Sequence, residues 1–136
     1  ITGVQMEVGP VATEFEQEDI STTLAKCQRY YYKTAGTSSS FFGQGMCVNT
    51  TEVRGSVPFP VEMRSAPTAL EQNGTAAHYR VNGTADTVCS AVPAFLVAST
   101  ASAGVTFTVG SGLTAGQGTT IQSKAAGAYL AWSSEL

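Results

Sequence analysis

The chain has 136 residues, enough for one domain with a real hydrophobic core. Charged residues are only 12% of it, and seven basic against ten acidic side chains give a net charge of −3, which leaves out the basic stripe that nucleic-acid binding requires. A hydrophobic content of 43% argues for a packed fold over a disordered one, and the longest apolar stretch, residues 91–98, is broken by Pro93 and far too short to span a bilayer.

Residues 1–8 alternate Val4, Met6 and Val8 against Gly3, Gln5 and Glu7, the period of a half-buried strand, and Gly9-Pro10 ends it. Ile1 is not an initiator methionine and no signal-peptide pattern follows, so residues 1–18 read as the terminal strand and linker of an upstream domain, with a C-terminal β-domain over 19–136. Asp19 or Ser21 is placed to cap a short helix burying Ile20, Leu24 and Cys27. Residues 29–34 then form a strand with Tyr30 and Tyr32 on one face and Tyr31 on the other, and strand pieces follow between Phe41 and Val61.

The strongest turn signals are Asn73-Gly74 and Asn82-Gly83, because a type I′ turn needs positive φ at both central positions. They predict a three-stranded meander over residues 66–71, 75–81 and 84–91, with later strands over 94–100, 105–109, 119–123 and 129–134. The fold class is all-β: an antiparallel β-sandwich or jelly roll with one short N-terminal helix, a barrel being the alternative.

Cys27, Cys47 and Cys89 stand far apart, and an odd number closes no complete disulfide set, so all three read as reduced, buried, small hydrophobes. His78, the only histidine, cannot assemble a zinc site within one subunit and reads as an ordinary strand residue. Glu14, Glu16, Glu18 and Asp19 read as a solvated linker before a helix start, in preference to the paired carboxylates of a glycosidase. No nucleophile motif points to catalysis, and no cofactor or metal is expected. Three Asn-X-Thr sequences, at Asn49, Asn73 and Asn82, match the glycosylation pattern, but turn chemistry accounts for the last two. For ligand binding the candidates are Trp132 and Tyr129 as ring platforms, with Gln72, Asn73, Asn82 and Gln117 as loop amides; a lone tryptophan in a small β-domain is more often core.

Residues 5–16 (QMEVGPVATEFE), followed by 24–32 (LAKCQRYYY), resemble a junction common in tail-fibre and virion structural proteins of tailed bacteriophages. There the first part closes a carbohydrate-binding-module-like jelly roll and the second opens the C-terminal β-domain. Residues 59–68 (FPVEMRSAPT) resemble a second segment of the same proteins. Glu14 stands where that family often has proline, and the glycine-rich stretch 104–118 has no counterpart. The resemblance implies a homotrimeric virion protein, made in the host cytoplasm, whose distal domain binds a cell-surface polysaccharide or an outer-membrane protein. A purely structural trimerising or capping domain is the alternative, and a polysaccharide depolymerase a third. Within the motif, Met63 and the aromatics of residues 29–32 are expected to pack the core, and Arg64 to pair with a carboxylate such as Glu62 or with backbone carbonyls.

Overall fold

The computed structural model describes residues 6, 8–11, 14 and 18–134, and most of the strand expected over residues 1–8 lies outside them. Asp19 caps helix α1 (Ile20–Gln28), its carboxylate accepting the Ser21 N–H at 3.0 Å. The helix forms where the sequence places it but buries none of its residues: Ile20, Leu24 and Cys27 are all exposed, because no element among the described residues covers the face they share. Cys47 and Cys89 are buried as expected, and all three thiols are free.

Alternating β-branched and aromatic residues set the strands that follow. They are β1 (Tyr31–Gly36), β2 (Phe41–Cys47), β3 (Glu52–Pro58), β4 (Glu71–Gln72), β5 (Tyr79–Asn82), β6 (Asp86–Val88), β7 (Ala94–Ala98), β8 (Ser102–Thr108), β9 (Gly118–Ser123) and β10 (Ala128–Ser133). Among the described residues these form two open antiparallel sheets, of order β1-β10-β4 and β6-β5-β9-β2-β3-β8-β7, so the architecture is a sandwich and not a closed barrel. A period of two governs the larger sheet: Val53 and Val57 on β3, with Ala103, Val105 and Phe107 on β8, face inward, while Arg54, Ser56 and Thr106 turn away.

Both sheets contribute to one core. Trp132 on β10 stacks on Tyr32 with ring centroids 6.2 Å apart and meets the Phe59 ring edge-on at 5.4 Å. Tyr79 on β5 packs against Phe107 and Phe42, each with centroids 6.1 Å away. Aromatic pairs at these separations add roughly 0.5–1.5 kcal/mol each beyond the area they bury.

The expected meander is only partly present. β5 and β6 pair as a hairpin, but β4 is two residues long and pairs with β10 in the other sheet. The strand predicted over 75–81 starts later, because Ala76–His78 is a 3-10 turn; His78 therefore ends a turn and does not lie within a strand. Neither Asn-Gly pair is a type I′ turn. Gly74 has φ +78, but Asn73 does not share the left-handed region, and neither Asn82 nor Gly83 enters it. Asn82 closes β5 opposite Asp86, so the connection holds three residues, 83–85. Asn73 stands where the chain passes from one sheet to the other, a change of layer that a two-residue hairpin cannot make.

Two further passages between the sheets, residues 37–40 and 124–127, run beside one another. Ser123 Oγ donates to the Thr37 carbonyl, Ser38 Oγ donates to the Lys124 carbonyl at 3.3 Å, and Ser39 adopts φ +72 between them. Two of the three stretches that carry the phage resemblance, 24–32 and 59–68, also meet in space. Tyr32 packs edge-on against Phe59 with centroids 5.7 Å apart, and the Arg64 N–H donates to the Arg29 carbonyl at 2.7 Å. Met63 is buried as expected, whereas Tyr30 and Tyr31 are exposed. Tyr30 precedes β1 and so does not share a strand face with Tyr32. The Arg64 guanidinium lies 5.7 Å from the Tyr30 ring centroid and forms no ion pair with Glu62, whose carboxylate accepts from Thr100 Oγ1.

An uncharged rung on the seven-stranded sheet

The outward face of the larger sheet carries a continuous rung of polar side chains. Pairing places Asn82 of β5 beside Thr120 of β9, Thr120 beside Gln44 of β2, and Gln44 beside Ser56 of β3. The alternation that points Val81, Ile121 and Val57 into the core points these four residues to solvent. Thr120 is held in place: its Oγ1 donates to the Asn82 carbonyl at 3.1 Å and accepts from Gln122 Nε2 at 2.8 Å. The side chains of Gln44, Ser56 and Asn82 make no hydrogen bond to another described residue, so their amides and hydroxyl are available to a ligand.

Two open depressions flank this rung and share Gln44 and Thr120. The first, of about 600 Å³, is bordered by Phe41, Ser56 and Pro58. Phe41 is 67% exposed, and an irregularity in the β2–β9 register between Phe41 and Gly43 lets it turn outward while Phe42 enters the core. The second, of about 500 Å³, is bordered by Asn82, Thr84 and Gln117, with Thr84 Oγ1 donating to Gln117 Oε1 at 3.3 Å. Neither depression is lined by a titratable side chain. The nearby cations are already engaged: Arg80 pairs with Asp86 at 2.6 Å and Arg54 with Glu52 at 3.0 Å. What this face offers is hydrogen bonding and stacking against an uncharged partner.

The residues singled out from the sequence separate into three places. Trp132 is fully buried, its Nε1 included, so it presents no ring face to a ligand; its size and β10's position between two strands put it in the core. Tyr129 is half-buried on the smaller sheet, with Lys33 Nζ 4.0 Å from its ring centroid, so that face is already occupied. Asn73 is committed to the crossing between sheets, where Nδ2 donates to the Gly127 carbonyl at 3.1 Å and Oδ1 accepts the Thr75 N–H at 3.2 Å. Gln72 Oε1 accepts the Gly74 N–H at 2.5 Å. Asn82 and Gln117, 35 positions apart in the sequence, come together in the second depression.

Phe41, Gln44, Ser56 and Thr120 were not among the sequence candidates. Their polar rung was in principle readable from strand alternation, but the order of strands in the sheet was not. In the acidic segment, Glu18 is ion-paired with Lys26 and Asp19 serves as the helix cap, and hydrogen bonds to these partners hold both carboxyls below their ordinary range; Glu16 lies outside the described residues. Among the described residues no group of three or more His, Cys, Asp or Glu is placed to hold a metal ion. No protein-family model matches the chain, and neither a curated protein nor a solved structure matches it.

Proposed function

We propose that this chain is the distal host-attachment domain of a bacteriophage tail fibre, a virion component that acts as a homotrimer and binds the cell surface without performing chemistry. The observation that carries the reading is the uncharged rung of Asn82, Thr120, Gln44 and Ser56 with exposed Phe41 beside it, a surface suited to reversible recognition. The resemblance of residues 5–16, 24–32 and 59–68 to tail-fibre proteins supports the biological setting. Repetition of one weak site over three subunits and several fibres would supply the avidity attachment needs.

A structural fibre domain is the second reading, and the edge strand β7 favours it, since Leu96 and Val97 stand exposed there on a strand that ends the sheet among the described residues. One experiment separates the two. The labelled chain is titrated onto a broad panel of bacterial cells, with its mass in solution taken by light scattering on the same preparation. Saturable, strain-selective binding by a trimer is the expected result. A trimer that binds no cell supports the structural domain, and a monomer removes the trimer from either reading.

A further inference from the structure

The rung on the larger sheet crosses four strands, and neighbouring strands lie about 4.8 Å apart, so Asn82 and Ser56 stand roughly 14 Å from one another. A single pyranose ring cannot reach both ends, but a chain of rings can, because the strand spacing is close to the repeat of a linked sugar. Three of the four polar groups are unengaged, and they can both donate and accept, as sugar hydroxyls do. Phe41 supplies an exposed ring against which the C–H face of a sugar can stack.

The absence of charge from the lining of both depressions discriminates among ligands. An anionic polysaccharide would lose part of the hydration of its carboxylates or phosphates with no cation in the lining of either depression to receive them. A polypeptide strand would add to a sheet edge, whereas this is a sheet face whose backbone groups are already paired. Resting on the attachment role above, we infer that the Asn82-Thr120-Gln44-Ser56 rung binds a neutral glycan chain laid across the strands, with separate rings in the two depressions. Gln44 and Thr120, common to both, serve the linkage between them.

The test uses the full chain and the cells it binds best. Binding should be lost after mild periodate oxidation of the cells, which cleaves vicinal diols, and should survive surface proteolysis. It should also persist in about 1 M sodium chloride, where the screening length falls to about 3 Å. Gln44→Ala and Phe41→Ala, both at exposed positions, should each weaken binding by about tenfold. Binding that resists periodate, or that salt or protease abolishes, overturns the neutral glycan while leaving attachment in place. Wild-type binding by both variants overturns the site. Failure to bind any cell removes the attachment reading itself, and this inference with it.

Discussion

The phenol of Tyr79 ties the two sheets together: its hydroxyl donates to the carbonyl of Tyr129 at 2.7 Å, linking β5 of the larger sheet to β10 of the smaller one. The same oxygen accepts the Asn73 N–H at 3.3 Å, and the ring is fully buried against Phe42 and Phe107. Tyr79→Phe keeps the ring contacts and removes the hydroxyl, leaving a carbonyl and an N–H without their partner inside the sandwich. The expected loss is about 1–3 kcal/mol of unfolding free energy by urea denaturation. An unchanged midpoint would mean that this hydroxyl does not help to hold the two sheets together.

Gly45 and Gly55 stand directly opposite one another on β2 and β3, with Gly43 two residues earlier; Ile121 lies against Gly43 and Gly55, and Val53 against Gly45. A Cβ at Gly43 would meet the Ser56 carbonyl oxygen at 2.2 Å, a backbone atom that cannot yield without breaking the pairing. At Gly55 it would meet Ile121 Cδ1 at 2.8 Å, the movable end of a side chain. Gly43→Ala should therefore prevent folding or cost more than Gly55→Ala, for which about 1–3 kcal/mol is expected. Adding Ile121→Val should recover part of the Gly55→Ala loss, a coupling that a double-mutant cycle measures directly.

Strands β7, β9 and β10 were legible in the sequence because alternation and turn residues act locally: residues 94–98, 118–123 and 128–133 fall close to where the pattern puts them, whereas β8 begins at Ser102, three residues before the expected start. The region around Asn73 and Asn82 was misread because Asn-Gly reports only a tolerance of positive φ, and the fold uses that tolerance at Gly74 alone. Whether the chain turns back within a sheet or crosses to the next one is a tertiary choice. The candidate face was legible in part. Asn82 and Gln117 are readable as loop amides, but nothing local says which of the adjacent Phe41 and Phe42 is core; the register irregularity beside Gly43 turns Phe41 to the surface and Phe42 inward. Trp132 was open to either reading, and burial decides it.

The three cysteines should separate by reactivity. Cys27 lies on exposed α1, while Cys47 and Cys89 are buried, so iodoacetamide on the native protein should modify Cys27 alone, with all three labelled after unfolding. Mass spectrometry of the labelled peptides reads this out, and native labelling of Cys89 would contradict the packing. Burial pushes the Cys89 thiol from an ordinary 9.0 up to about 12. Between those values the unfolded chain has released a proton that the folded chain retains, so stability is full below pH 9.0 and falls as pH rises toward about 12. Cys89→Ala lacks this titration, and the stability difference between wild type and variant should therefore shift against wild type from pH 8 to pH 10.

Asn73 also fixes a proton on His78. Its amide orientation is set by two independent bonds, Oδ1 accepting the Thr75 N–H and Nδ2 donating to the Gly127 carbonyl. Nδ2 is therefore the atom that faces His78 Nδ1 at 2.6 Å, and a donor there requires a ring nitrogen with a free lone pair. The neutral imidazole must carry its hydrogen on Nε2, which long-range ¹H–¹⁵N spectra distinguish from the other tautomer. Asn73→Asp replaces the donor with a second acceptor, so the ring should switch to the Nδ1–H form, and the loss of the bond to Gly127 should cost about 1 kcal/mol. An Nδ1–H tautomer in the wild-type protein would mean that the amide is turned around, and that the crossing from β4 to β5 is held without the Gly127 bond.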